Sequence, residues 1–99
     1  MVRDPKVLVE VKETLALLAS AYPGKAIEVR VPPYAAVQCG EGPKHTRGTP
    51  PNVIEMNAET WLQLADGERS WSEALEAGLI SASGVRADLT DLLPLRRKP

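Results

Sequence analysis

Cys39 and His45 are the two side chains in this sequence best suited to nucleophilic chemistry, and each is the only one of its kind in the chain. A thiolate catalyst needs a base within hydrogen-bond reach and a third group that orients the base. The glycine-bearing stretch between Cys39 and His45 can bring the two together, but no orienting residue is evident. An unpaired cysteine at the end of a strand more ordinarily serves as a small buried hydrophobe. One histidine and one cysteine also fall short of the three or four ligands of a zinc site. The expectation is a chain without a catalytic centre, a metal or a cofactor.

The other polar candidates are weaker. Lys44, His45 and Arg47 sit in the run Gly40-Glu41-Gly42-Pro43-Lys44-His45-Thr46-Arg47-Gly48-Thr49-Pro50-Pro51, where backbone N–H groups and basic side chains could cradle a carboxylate or phosphate. The run matches neither the phosphate-loop pattern nor the dinucleotide fingerprint, so a solvated loop is the competing reading. Asp88 and Asp91 lie one helical turn apart, which ordinary solvated helix charges explain. Trp61 and Trp71 stand out because the chain has no phenylalanine and only two tyrosines beside them. They are core residues replacing phenylalanine, or they line an apolar cleft, or they form a patch between two copies of the chain.

These residues must be positioned by one small domain spanning 1–99, with 1–3 and 95–99 frayed. Ninety-nine residues bury roughly 60–70 % of the surface of the unfolded chain. Apolar residues make up 43 % and charged residues 25 %, a composition that folds rather than stays disordered. Twelve basic against thirteen acidic residues leave no field to attract nucleic acid or an anionic membrane. The short basic run Arg96-Arg97-Lys98 does not change that. No apolar run approaches the roughly 18 residues of a membrane span, and the N-terminus shows no signal-peptide core. A single cysteine points to a reducing cytoplasm.

Asp4-Pro5 reads as an N-cap with proline at the first helical position. Val7, Leu8, Val11, Leu15, Leu18 and Tyr22 then recur at helical spacing until Pro23-Gly24. From Ala26 the period changes to two, with Ile27, Val29 and Val31 alternating with Glu28 and Arg30. Pro32-Pro33 closes that strand, and Tyr34–Cys39 is its antiparallel neighbour. After the 40–51 loop, which has room for a short edge strand near Lys44–Arg47, a third strand covers Asn52–Met56. Asn57 caps a helix ending at Asp66-Gly67, and Ser70 with Glu73 forms a capping box that opens a short helix ending at Gly78. Leu79–Ser83 is a fourth strand, and Val85, Leu89, Leu92 and Leu93 predict a last helix ending at Pro94. This order predicts an α+β fold: a small, mostly antiparallel sheet of four to five strands with helices on one face.

The stretch Asn52–Leu93 resembles the C-terminal half of the sterol carrier protein 2 family. The resemblance rests on a strand ending in Met56, a helix ending in Gly67, the run Gly78-Leu79-Ile80-Ser81-Ala82-Ser83-Gly84, and the following segment Val85–Leu93. The chain looks most like the short bacterial members, and it departs from the family in length and in lacking phenylalanine. The resemblance implies a non-catalytic domain that binds a lipid or another apolar small molecule. Trp61, Leu62, Trp71, Leu75, Ile80, Leu89 and Leu92 would line a cleft under the last helix. The alternative is a protein-interaction or regulatory module, homodimeric in one form, that keeps the fold without the pocket.

Overall fold

The computed structural model of the protein describes residues 4–42 and 52–96. In chain order the elements are α1 (Pro5–Ala21), β1 (Ile27–Val31), β2 (Ala35–Cys39), β3 (Asn52–Glu55), α2 (Ala58–Asp66), α3 (Trp71–Glu76) and β4 (Ser81–Ser83), followed by a single 3-10 turn, Thr90–Leu92. The sheet runs β2-β1-β3-β4, so the fold is α+β, with four strands among the described residues. β1 and β2 form an antiparallel hairpin with Val29 opposite Val37, and β3 pairs antiparallel with β4, Ile54 opposite Ala82. The central pair, β1 with β3, is parallel, which makes the sheet mixed.

Local chemistry starts the first helix where the sequence places it. The Asp4 carboxylate accepts the Lys6 N–H at 2.9 Å, satisfying one of the donors that the first turn cannot pair internally. α1 then buries Val11, Thr14, Leu15 and Leu18 and packs against β2 and α2. Gly24 allows the chain to reverse into β1, because a Cβ there would stand 1.9 Å from the Gly40 carbonyl oxygen. That close approach lets Gly40 receive Ala26 N–H and donate to Tyr22 O.

The two-residue period of β1 puts Ile27, Val29 and Val31 on the inner face. With Val11, Leu15 and Leu18 from α1, Ile54 and Met56 from β3 and its end, and Trp61 and Leu64 from α2, they form one continuous core. Asn52 is buried at the start of β3 and ties three segments together. Its Nδ2 donates to Ala26 O at 2.8 Å, and its Oδ1 accepts Arg86 N–H at 2.8 Å.

The chain end differs from the sequence expectation. Residues 84–96 form no helix beyond the Thr90–Leu92 turn and run as a strap across the domain. Local acceptors take the amides that a helix would need: Ala87 N–H bonds Gly84 O and Asp88 N–H bonds Arg86 O. The Asp88 carboxylate accepts both the Thr90 N–H, at 2.8 Å, and its hydroxyl, at 2.5 Å. These bonds compete with helical ones, as aspartate side chains commonly do. Val85, expected on the apolar face, is fully exposed at 101 %. The cleft expected under a C-terminal helix therefore has no helix above it. Nor does the chain fray from residue 95, since the N–H groups of Leu95 and Arg96 both bond Ala65 O. Residues 97–99 and the expected edge strand near Lys44–Arg47 lie outside the described residues.

Candidate functional site: a cleft beneath the C-terminal strap

Trp61 is placed by α2, whose N-cap Asn57 accepts the Thr60 N–H at 2.9 Å. Its ring is completely buried, which would strand the indole N–H without a partner. That partner is Thr14 on α1: Trp61 Nε1–H donates to Thr14 Oγ1 at 2.7 Å. The Thr14 hydroxyl in turn donates back into its own helix, to Glu10 O at 2.7 Å. This chain of two bonds joins α1 to α2 inside the core. Leu89, on the strap, is equally buried, and Ile80 and Trp71 are buried with it.

These four are core residues, together with Leu62 and Leu92, which are half-buried against the same cluster. Six of the seven residues expected to line a cleft are thus packed in or against the core. Leu75 points away and is 46 % exposed.

An open cleft of about 550 Å³ lies nearby, between the α2–α3 connection and the strap. Its apolar surface comes from Leu64, Trp71, Leu93 and Pro94, and its polar lining includes the acidic residues Asp66, Glu68 and Glu73 beside Arg69, Ser70 and Thr90. Of the seven residues read from the sequence as cleft-lining, only Trp71 borders it. Gly67 forms the tight end of α2 with a left-handed backbone, φ 79°. A Cβ at Gly67 would come within 3.3 Å of Pro94, so the strap approaches α2 closely there. The contribution of Leu93-Pro94 was hidden in the sequence by the assignment of a last helix. The Gly67–Arg69 connection was visible only as a helix stop.

The walls are held by polar contacts. At the start of α3 the capping box is complete: Glu73 N–H donates to Ser70 Oγ, and Ser70 N–H donates to Glu73 Oε1, each at 3.1 Å. The bond from the Ser70 backbone, then that from its hydroxyl, hold the Glu73 carboxyl below its ordinary range. Arg69 Nε donates to Gln63 Oε1 at 2.8 Å. At the strap's end Arg96 Nε donates to Asp66 Oδ1 at 2.6 Å, and its Nη2 donates to Glu10 Oε1 at 3.0 Å. The Asp66 side chain is only 2 % exposed, and its bond to Arg96 raises the guanidinium pKa further. One arginine therefore joins the strap to both α1 and α2.

Cys39 ends β2 inside the core, fully buried, and burial pushes its thiol pKa up. A thiolate nucleophile requires the opposite shift and an open approach. His45, like Lys44 and Arg47, lies outside the described residues, so the sequence-read pairing with Cys39 and the anion-binding loop are not placed. Among the described residues no group of three or more His, Cys, Asp and Glu side chains is arranged to hold a metal ion. No helix among them is long and apolar enough to cross a membrane.

No curated protein matches the chain. A family model described as "Bacterial SCP ortholog" matches residues 4–95, a span that takes in every helix and strand of the fold. The chain belongs to this bacterial sterol-carrier-like family.

Proposed function

We propose that the chain is a non-catalytic binding domain of a reducing cytoplasm that holds an apolar or amphipathic small molecule in the cleft beneath the strap. The observation that carries the reading is the cleft of about 550 Å³ floored by Trp71, Leu64, Leu93 and Pro94. Ligand sites commonly occupy about 300–1,000 Å³ and combine an apolar floor with a few polar groups. The bound molecule lies across the floor and keeps its polar end toward the mixed polar lining of Glu68, Arg69, Glu73 and Thr90. Catalysis is not part of this reading, because the buried Cys39 thiol is held protonated and away from solvent.

Titration with the uncharged dye N-phenylnaphthylamine, read by dye emission, tests it. Leu93→Glu places a carboxylate on the apolar floor and weakens binding about tenfold or more, the equivalent of about 1.4 kcal/mol. Gln38→Glu, at an exposed position of β2 that does not border the cleft, leaves binding unchanged. Equal affinity of Leu93→Glu and the native chain overturns the proposal.

The burial of the residues expected to face a ligand favours a second reading. With Trp61 and Leu89 wholly buried in the core, the fold then serves as a protein-interaction module. In that case the dye shows no saturable binding to the native chain.

A further inference from the structure

The polar lining of the cleft beneath the strap is uneven in what it still presents to a ligand. Its donors are largely engaged by the protein itself. The backbone N–H groups of residues 67–69 bond the carbonyls of Leu64 and Gln63, and those of Ser70 and Glu73 are held in the capping box. The amide and the hydroxyl of Thr90 both donate to Asp88 Oδ1, and Arg69 Nε donates to Gln63 Oε1. The acceptors are in the opposite position. Three carboxylates border the cleft against one guanidinium, that of Arg69. Asp66 is engaged by Arg96, which stands outside the lining. Glu73 receives Ser70 N–H on Oε1, and its Oε2 accepts no hydrogen bond among the described residues. Glu68 is exposed, and its carboxylate bonds none of them. An ionised carboxylate can only accept, so these oxygens suit a donor that carries positive charge.

We propose that the cleft selects amphipathic cations, with an organic ammonium head received by Glu68 and Glu73 and an apolar body laid across Trp71, Leu64, Leu93 and Pro94. The inference rests on the cleft reading above and names the ligand class for that site.

The preferred sign of charge follows from groups already fixed in place. The capping box holds Glu73 at the start of α3, so its carboxylate stands at the cleft wall before a ligand arrives. The Ser70 backbone bond, then the Ser70 hydroxyl, keep that carboxyl below its ordinary range, with a smaller contribution from the charge of Arg69. Glu73 is therefore ionised at neutral pH, and Arg69 is already opposed by a carboxylate. An anionic head would meet Arg69 with Glu68 and Glu73 against it. A cationic head meets the reverse. The apolar floor holds the body of the ligand and the few polar groups decide which head is kept, as in ligand sites generally.

Displacement of bound N-phenylnaphthylamine by decylammonium and by decanoate, at neutral pH and below their micellar concentrations, tests the proposal. The two competitors carry tails of matching length and heads of opposite charge. Decylammonium displaces the dye at about one-fifth or less of the decanoate concentration, and added salt narrows the gap. Glu68→Gln with Glu73→Gln removes the preference; glutamine keeps an oxygen for the Ser70 N–H, so the capping box persists. Glu68→Lys, at an exposed site, reverses the preference without touching the capping box. Glu59→Gln, at the other end of α2, leaves the ratio of the two competitors as in the native chain. Decanoate that competes as well as decylammonium, on a chain that binds the dye, overturns the charge assignment and leaves the cleft standing. A preference that survives both Glu68 variants overturns it as well, by placing its source outside the cleft. Absence of saturable dye binding overturns the cleft and the charge assignment together.

Discussion

Thr14→Val removes the hydroxyl that receives the Trp61 indole N–H while keeping the side chain's shape and volume. In the native domain that N–H donates at 2.7 Å in a fully buried setting, and Thr14 passes its own proton to Glu10 O. The valine variant leaves the indole N–H with no acceptor, since the Glu10 carbonyl belongs to α1's own ladder. The cost of an unsatisfied buried donor is about 1–3 kcal/mol. In a domain of this size each kcal/mol lowers the thermal midpoint by about 4–8 °C. Urea unfolding followed by far-UV circular dichroism measures the change. Trp61→Phe, which removes the donor, loses packing volume but strands no polar group in the indole's place. In the double variant the penalty of Thr14→Val shrinks by about 1 kcal/mol or more, the coupling that a double-mutant cycle isolates. Additive costs, or a Thr14→Val penalty below about 0.5 kcal/mol, would refute the assignment of this bond as the link between α1 and α2.

Other consequences can be checked by similar means. Arg96→Met leaves the Asp66 carboxylate buried without its guanidinium, and breaking such a pair costs about 3–5 kcal/mol when both partners are buried; with Arg96 a quarter exposed the expected loss in urea unfolding is about 1–3 kcal/mol, largely restored by adding Asp66→Asn. Glu73, its folded pKa lowered by Ser70, contributes stability that is present above the unfolded carboxyl pKa and lost as pH falls through the folded one. Glu73→Gln should therefore flatten the acid limb of the stability–pH curve while leaving the neutral-to-alkaline shape unchanged. Cys39 behaves in the opposite sense: its folded thiol pKa is raised by burial, so the unfolded chain ionises first and stability falls as pH rises above the unfolded thiol value of about 8.5. At neutral pH its labelling by a thiol reagent should follow global unfolding, and rapid labelling of the folded chain would contradict its placement.

The parts of this fold that were legible in sequence are those written in local chemistry. Asp4-Pro5, Asn57 and the Ser70/Glu73 pair each start a helix through bonds within three residues, and all three are observed. The change of period at Ala26 marked β1, and the short Pro32-Pro33 link implied the hairpin to β2. The parallel β1–β3 pair was not legible because it joins segments separated in sequence by β2 and residues 40–51, and no local pattern encodes that register. The last helix was misread because Leu89, Leu92 and Leu93 have helical spacing, yet Asp88 captures the Thr90 amide and hydroxyl and leaves only a single turn. Without that helix the cleft is bordered by Leu93 and Pro94 instead of Leu89 and Leu92. Thr14 and Asp66 escaped notice for a related reason: each is a polar residue on a buried face, and only its distant partner, Trp61 or Arg96, reveals its place.

The central claim, that a ligand occupies the cleft beneath the strap while the interior stays closed, is tested most directly by amide chemical-shift mapping during titration with N-phenylnaphthylamine. The account predicts saturable shifts clustered at residues 64–73 and 90–94, with Val29, Val31 and Ile54 unmoved at the centre of the core. Shifts spreading through β1 and β3 would mean that the core opens to the ligand, and would contradict it.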